Sequence, residues 1–392
     1  MKFVFERWEE GMAQPLEGIK VVDLSRILAG PLCTMTLADF GAQVIKIESP
    51  AGDETRSWTP PVTASGISTY YSAVNRNKQA VVADFADQSQ LHALRELIRE
   101  TDVVVENFRP GVLAKFGLDY PALSKENPRL VYCSISGFGE EQGAALPGFD
   151  LLVQAVGGLM SITGEPQGAP SKVGVALVDV LAAQNATTGI LLALRERDAS
   201  GRGQRVSINL MTSLLAGLTN QSSSTLATGT SPARMGNAHP SIAPYETFAT
   251  SDGVVAIAVG NNRQFAALLR ELDLPELVDD PRFLDNSARV AHRVELKVLI
   301  EQATRNKTAG HWATSLMAGG VPAGKVNSIA EAIDFARDLG LDPVATVPDP
   351  RTGDPTAQIA SPIGLSRTAA EYRNAPPAQG EHQHLLLKNS QT

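Results

Sequence analysis

Short apolar runs alternate with segments of helical apolar spacing from residue 15 to about residue 209. The runs at 19–24, 43–47, 80–84, 102–106, 130–134 and 204–209 read as strands, and the segments at 33–40, 88–99, 151–161 and 180–195 as helices, with another helix at 211–226. The first, third and fourth runs are almost continuously apolar, as a sheet covered on both faces requires. Strand and helix in alternation predict βαβ units and a mostly parallel, Rossmann-like sheet in an α/β fold. Small polar residues then take over at Ser222-Ser223-Ser224-Thr225 and Gly229-Thr230-Ser231-Pro232. Beyond them, runs at 245–248 and 254–259 flank Ser251-Asp252-Gly253 as a predicted β-hairpin, with helical spacing at 263–272, 294–304 and 309–317. From Asp342 onward, strands punctuated by Pro and Gly return. The expected organisation is a flexible extension at 1–14, a large α/β domain at 15–220, a linker at 221–236, a smaller α+β domain at 237–330, and a segment at 331–392 that rejoins the large domain.

Composition narrows the function classes. A chain of 392 residues exceeds one ordinary core, and 43% hydrophobic with 19% charged residues is the balance of a soluble globular protein. The formal net charge of −8, with no Lys/Arg run, argues against a nucleic-acid groove or an anionic membrane surface. Cys33 and Cys133 follow no metal or redox spacing, so buried reduced thiols are expected. No pair among the six histidines has ligand spacing, and no metal is expected. The first ten residues carry acids where a signal peptide would be apolar, and no apolar run approaches the ~20 residues of a bilayer span. A cytoplasmic location, without a membrane partner, is the expectation.

The turn after the first strand, Ser25-Arg26-Ile27-Leu28-Ala29-Gly30-Pro31, lacks the glycine fingerprint of a dinucleotide site, and no Walker loop, nucleophile elbow or His-Glu-x-x-His helix occurs. The remaining chemistry lies in loops at the carboxyl ends of strands, where open α/β sheets bind ligands. Arg26, Ser49, Pro50, Asn107, Phe108, Arg109 and Lys115 offer cations, an amide and a ring suited to a phosphorylated adenosine ligand. Taken singly, Arg109 and Lys115 also read as solvated charges and Asn107 as a turn residue. Asp179 follows the apolar run Val173-Gly174-Val175-Ala176-Leu177-Val178 and opens a long apolar segment. Desolvation there disfavours its charge unless backbone N–H groups at a helix start hold it. It reads either as a poised nucleophile or as the N-cap of a helix starting at Val180. Asp150, in Pro147-Gly148-Phe149-Asp150, reads as a helix cap or, if its loop folds back beside Asp179, as a second carboxylate in support.

Several segments, taken in order, resemble the class III coenzyme A transferases of the CaiB/BaiF type, whose relatives include formyl-CoA transferase and the 2-methylacyl-CoA racemases. They are Leu16-Glu17-Gly18-Ile19-Lys20-Val21-Val22-Asp23-Leu24-Ser25 with Ala29-Gly30-Pro31, Leu37-Ala38-Asp39-Phe40-Gly41-Ala42, Asn75-Arg76-Asn77-Lys78, Val105-Glu106-Asn107-Phe108-Arg109-Pro110-Gly111, Pro147-Gly148-Phe149-Asp150, Val178-Asp179 and Gly201-Arg202-Gly203-Gln204. The resemblance implies an acyl-CoA:carboxylate CoA-transferase, an α/β large domain with a smaller α+β domain, and a homodimer of two subunits linked as rings. It places the nucleophile on Asp179, the supporting carboxylate on Asp150, and the CoA contacts on Leu28, Ala29, Ser49, Asn107, Phe108, Arg109 and Lys115. No tightly bound cofactor is implied; CoA and acyl-CoA are substrates. The implied course runs from a mixed anhydride on Asp179 to an aspartyl-CoA thioester, then back through a second anhydride to the acceptor acid.

Departures from the family's branches shape the choice within it. Phe149 stands where the racemases have a histidine, and Asn261-Asn262 where they have a glutamate, which favours transferase over α-epimerase or racemase. Leu28 replaces the glutamine of formyl-CoA transferase, which leaves formyl or oxalate specificity unsupported. Phe149, Arg234 and His239 are the candidate acceptor contacts, with a small dicarboxylate as the expected acceptor; Arg234 and His239 also read as structural or CoA-adjacent. A non-catalytic CoA binder is the reading from a different class.

Overall fold

The protein is described by a computed structural model over residues 14–387. The expected extension at 1–14 therefore lies, apart from Gln14, outside the described residues. Two compact units emerge, one from residues 14–157, Val173–Leu226 and 340–387, the other from Gly158–Lys172 and Ala227–Leu339.

The first unit is built as β1 (Lys20–Asp23), α1 (Ala29–Asp39), β2 (Gln43–Glu48), α2 (Thr69–Ser72), β3 (Lys78–Val82), α3 (Gln88–Arg99), β4 (Val103–Glu106), α4 (Tyr120–Glu126), β5 (Val131–Ser136) and α5 (Asp150–Val156). After α6 (Leu159–Ile162), which groups with the second unit, follow α7 (Leu177–Ser200), β6 (Arg205–Asn209), α8 (Leu210–Gly217) and α9 (Asn220–Thr228). The six strands are all parallel in the order β3-β2-β1-β4-β5-β6, with Val22 beside Ile45 on one side and Val104 on the other. This is the Rossmann-like α/β sheet that the apolar runs predict. One face buries Leu24, Ile47, Val81, Leu94, Ile98 and Leu118 in a single core, each worth about 1.5–3 kcal/mol relative to exposure. α7 packs against α1, α8, β5 and β6.

Local deviations from the sequence pattern have local causes. The helix expected at 151–161 breaks into α5 and α6 at Gly157-Gly158, because Gly158 takes φ +89° and a Cβ on Gly157 would stand 2.5 Å from Leu214. The helix expected at 211–226 divides into α8 and α9 at Thr219, φ +44°, so that α9 occupies part of the expected linker. The helix expected at 180–195 begins three residues earlier and runs until Gly201 closes it at φ +74°. At 24 residues and mean hydropathy 1.5 in its apolar stretch, α7 is long and apolar enough to cross a bilayer, which corrects the expectation that no run approaches that length.

The second unit holds the antiparallel sheet β7 (Tyr245–Ala249), β8 (Val254–Ala258) and β9 (Ala323–Lys325) with α10 (Asn262–Glu271), α11 (Asn286–Ala291), α12 (Arg293–Thr304), α13 (Ala309–Ala318) and α14 (Ile329–Asp338). Its own core contains Phe248, Ile257, Leu268, Trp312 and Leu316. The chain re-enters the first unit at residue 340 and pairs β10 (Val344–Val347) with β11 (Thr356–Ile359), and α15 (His384–Leu387) is the last of the described elements. On the way it shields the open edge of β3: His382 N–H donates to Ala80 O at 2.9 Å and Val82 N–H to Gln383 Oε1 at 2.9 Å.

Candidate active site

The strand order reverses between β1 and β4, the place where an open parallel sheet leaves a crevice beyond its carboxyl ends. A cleft lies there. Its walls include Arg26, Ile27, Leu28 and Ala29 after β1, Asn107, Phe108, Arg109 and Pro110 after β4, the end of β5 with much of the loop 137–149 that follows it, Asp150 of α5, and Asp179 from α7. Nine of the residues singled out in the sequence thus share one cleft: Arg26, Leu28, Ala29, Asn107, Phe108, Arg109, Phe149, Asp150 and Asp179.

Asp179 is the third residue of α7, whose N-cap is Ala176, so it is not the cap of its own helix. It sits half-buried in the first turn, where the helix favours an anion. Burial first, and then the Asp150 carboxylate, push its pKa up to about 7. Asp150 likewise does not cap its own helix, since Phe149 is the N-cap of α5. Its Oδ1 instead accepts from Val178 N–H at 2.8 Å, supplying α7 with the cap that Ala176 cannot give. Gln154 Nε2 donates to Asp150 Oδ2 at 2.7 Å, and the same buried side chain accepts Val173 N–H at 2.9 Å. The second carboxylate therefore both fixes the start of α7 and raises the first.

Two further groups escaped the sequence reading. The Tyr70 phenol is raised by burial and then by Asp179 and Asp150, which places it electrostatically with the pair, and its ring meets Trp58 edge-on at 4.9 Å. Glu106, buried at the end of β4, accepts Phe108 N–H at 2.8 Å. Burial lifts Glu106 to about 7 against the opposing hydrogen bonds from Ser134 and Phe108. Tyr70 stands in no local motif and meets the pair only through the fold, while Glu106 lies inside the 105–111 segment but carried no role there, because its burial against Ser134 of β5 is set by the sheet.

Other expected contacts are engaged elsewhere. The Asn107 amide is spent on the Arg26 backbone, accepting from its N–H at 2.9 Å and donating to its carbonyl at 2.8 Å. Arg26 pairs with Glu54 at 2.6 Å and lies 5.2 Å from the Phe108 ring centroid, while Arg109 is exposed and makes no ion pair among the described residues. Ser49 and Lys115 are exposed and stand outside the cleft lining. Arg234 and His239 belong to the second unit, where Arg234 donates to Gly168 O at 2.8 Å and His239 Nδ1 accepts Ser241 N–H at 3.1 Å.

A model of CoA-transferase family III matches residues 16–383, nearly the whole described chain. The chain belongs to CoA-transferase family III. It is 41% identical over 389 residues to the succinate–glutarate CoA-transferase of Agrobacterium fabrum, with 96% of each chain covered. It is 37% identical to the succinyl-CoA:glutarate CoA-transferase of Mus musculus, over 96% of this chain and 86% of the mouse protein. Among solved structures it is similar to a CaiB/BaiF family protein from Brucella suis, at 40% identity and TM-score 0.86, over 97% of this chain and 100% of the other. The family III membership makes it an enzyme of the class III CoA-transferase type, acting on CoA thioesters.

Proposed function

We propose that this family III enzyme moves CoA from a succinyl-CoA-like thioester to a small dicarboxylic acid such as glutarate, with Asp179 as the nucleophile. The acids come from the names of the two curated relatives. One observation carries the choice of nucleophile: a carboxyl poised at about 7 shares a cleft with the turns at 26–29 and 107–110. An Asp179 carboxylate oxygen attacks the donor acyl carbon; the C–S bond breaks and CoA leaves as thiolate. The thiolate attacks the aspartyl carbon of the mixed anhydride, expelling the donor acid and leaving an aspartyl-CoA thioester. The acceptor carboxylate attacks that thioester, and the released thiolate then takes the acceptor acyl group, returning Asp179 as carboxylate. Asp150 keeps the α7 start in place throughout and holds Asp179 in a range where it ionises near neutrality. Among the described residues no histidine lines the cleft, which leaves α-proton exchange of the racemase kind without an imidazole there as its second base.

The test is intact-mass and peptide mass spectrometry after mixing with succinyl-CoA, with hydroxylamine or borohydride as trap. Modification of Asp179 is the expected result. Transfer to glutarate with Asp179 never modified, and an Asp179→Ala form as active as wild type, would overturn it.

A further inference from the structure

Four non-glycine residues take positive φ among the described residues, and of these Ile27, at +69°, lies in the cleft wall. A β-branched side chain is strained in that region, which a glycine would occupy freely. The turn is nevertheless held there by side chains from four other places. Ser25 N–H donates to Asp23 Oδ1 at 2.9 Å, and Ser25 O accepts from Lys46 Nζ at 2.9 Å. Asn107 takes both the N–H and the carbonyl of Arg26. Ile27 N–H points at the Asp53 carboxylate, at 3.2 and 3.4 Å from its two oxygens. Lys46 Nζ and Asp53 Oδ2 form an ion pair at 2.9 Å with both side chains fully buried. Gly30 completes the fit, because a Cβ there would run into the Ser25 side chain.

A buried ion pair is weak evidence for stability, since an apolar pair of similar volume often serves the fold as well. What Lys46 and Asp53 give the turn that an apolar pair could not is a donor for Ser25 O and an acceptor for Ile27 N–H; Asp53 Oδ1 also accepts from Thr55 N–H at 3.0 Å and Thr55 Oγ1 at 2.7 Å, an acceptor that the Asn variant retains. Neither residue lines the cleft, so both act through the turn. We propose that Lys46 and Asp53 are a positioning pair that holds the turn at 25–28 in its strained shape and thereby sets the affinity for the CoA thioester. This rests on the reading that CoA occupies the cleft.

Two double variants separate positioning from mere support. Lys46→Met/Asp53→Leu removes the pair without leaving a lone buried charge; Lys46→Met/Asp53→Asn keeps an acceptor for Ile27 N–H. Titration calorimetry with CoA and steady-state transfer from succinyl-CoA are measured for both, beside melting temperatures. For the Leu variant, CoA binding weaker by on the order of tenfold is expected, with KM for the thioester rising and kcat largely kept. The Asn variant should recover part of that affinity. If the Leu variant does not fold, the Asn variant alone decides, because loss of the Lys46 bond to Ser25 O still predicts weaker binding. Wild-type affinity in a folded variant overturns the proposal. Failure of the wild-type protein itself to bind CoA would instead strike the reading of the cleft.

Discussion

Asp179 has a stability cost written into its position. Its carboxyl holds a proton up to about 7 when folded and only to about 3.8 when exposed. Between those values the folded chain binds more protons, so stability falls as pH rises through the window and stays lowered above it. Asp179→Asn should therefore be more stable than wild type at pH 8, by about 1–2 kcal/mol for a partly exposed group, and equal near pH 3. The same variant should lose transfer by on the order of 10³ or more. Thermal unfolding at the two pH values, beside a transfer assay, checks both; a variant less stable at pH 8 would remove the burial argument. Protonation of the wild-type carboxylate should cut kcat/KM as pH falls below about 7. Asp150→Asn keeps an oxygen for Val178 N–H but removes a neighbouring charge, so it should move that acid limb to lower pH, and an unmoved limb would exclude Asp150 as a cause of the shift.

At the scale of elements, the site depends on how the loop after β5 is closed. Gly137 and Gly148 face each other at its neck, so close that a Cβ on Gly137 would stand 2.5 Å from the Gly148 Cα. The loop between them supplies Phe138, Leu146 and Pro147 to the cleft, and Arg205 of β6 grips it through Glu140. Gly137→Ala must force the neck open, at a cost of about 1–3 kcal/mol, and should raise KM for the CoA thioester; calorimetry and kinetics with wild-type values would show that the loop tolerates the change. The parallel sheet and the hairpin β7–β8 were legible in the sequence, because apolar runs between helical segments state a parallel core and Ser251-Asp252-Gly253 states a turn. The strand-end reading brought Arg26, Asn107, Phe108 and Arg109 to one cleft, but it also named Ser49 and Lys115, which lie outside it, and the place of Ala29 and Asp179 beside them came only from the family resemblance. The cap that Asp150 lends to α7 was not legible, because it joins residues 28 apart and neither helix's own sequence names its partner. The breaks at Gly158 and Thr219 were missed for a similar reason: helical periodicity runs on through a residue whose backbone tertiary packing has turned.

The long helix α7 poses a question for the whole molecule. Its apolar residues run around the circumference, yet only 39% of its most apolar stretch is buried. A helix apolar on every side needs cover on every side. Leu191 and Leu192 remain exposed on it, and Leu151, Val156, Leu215 and Leu226 are exposed elsewhere in the same unit. A bilayer is a poor candidate, because α7 is held along one face by α1, α8 and the sheet, whose polar loops would have to enter the hydrocarbon with it. We propose that a second copy of the chain supplies the cover, in line with the dimer implied by the family resemblance. Light scattering coupled to size exclusion should then give twice 41.6 kDa. Leu191→Glu/Leu192→Glu should shift the protein toward the monomer, because burying two carboxylates opposes association, and should abolish the concentration dependence of melting that mass action gives the wild-type dimer. A wild-type protein that runs as a monomer at micromolar concentration would leave the apolar surface of α7 to some other partner and detach the transfer chemistry from any pairing of chains.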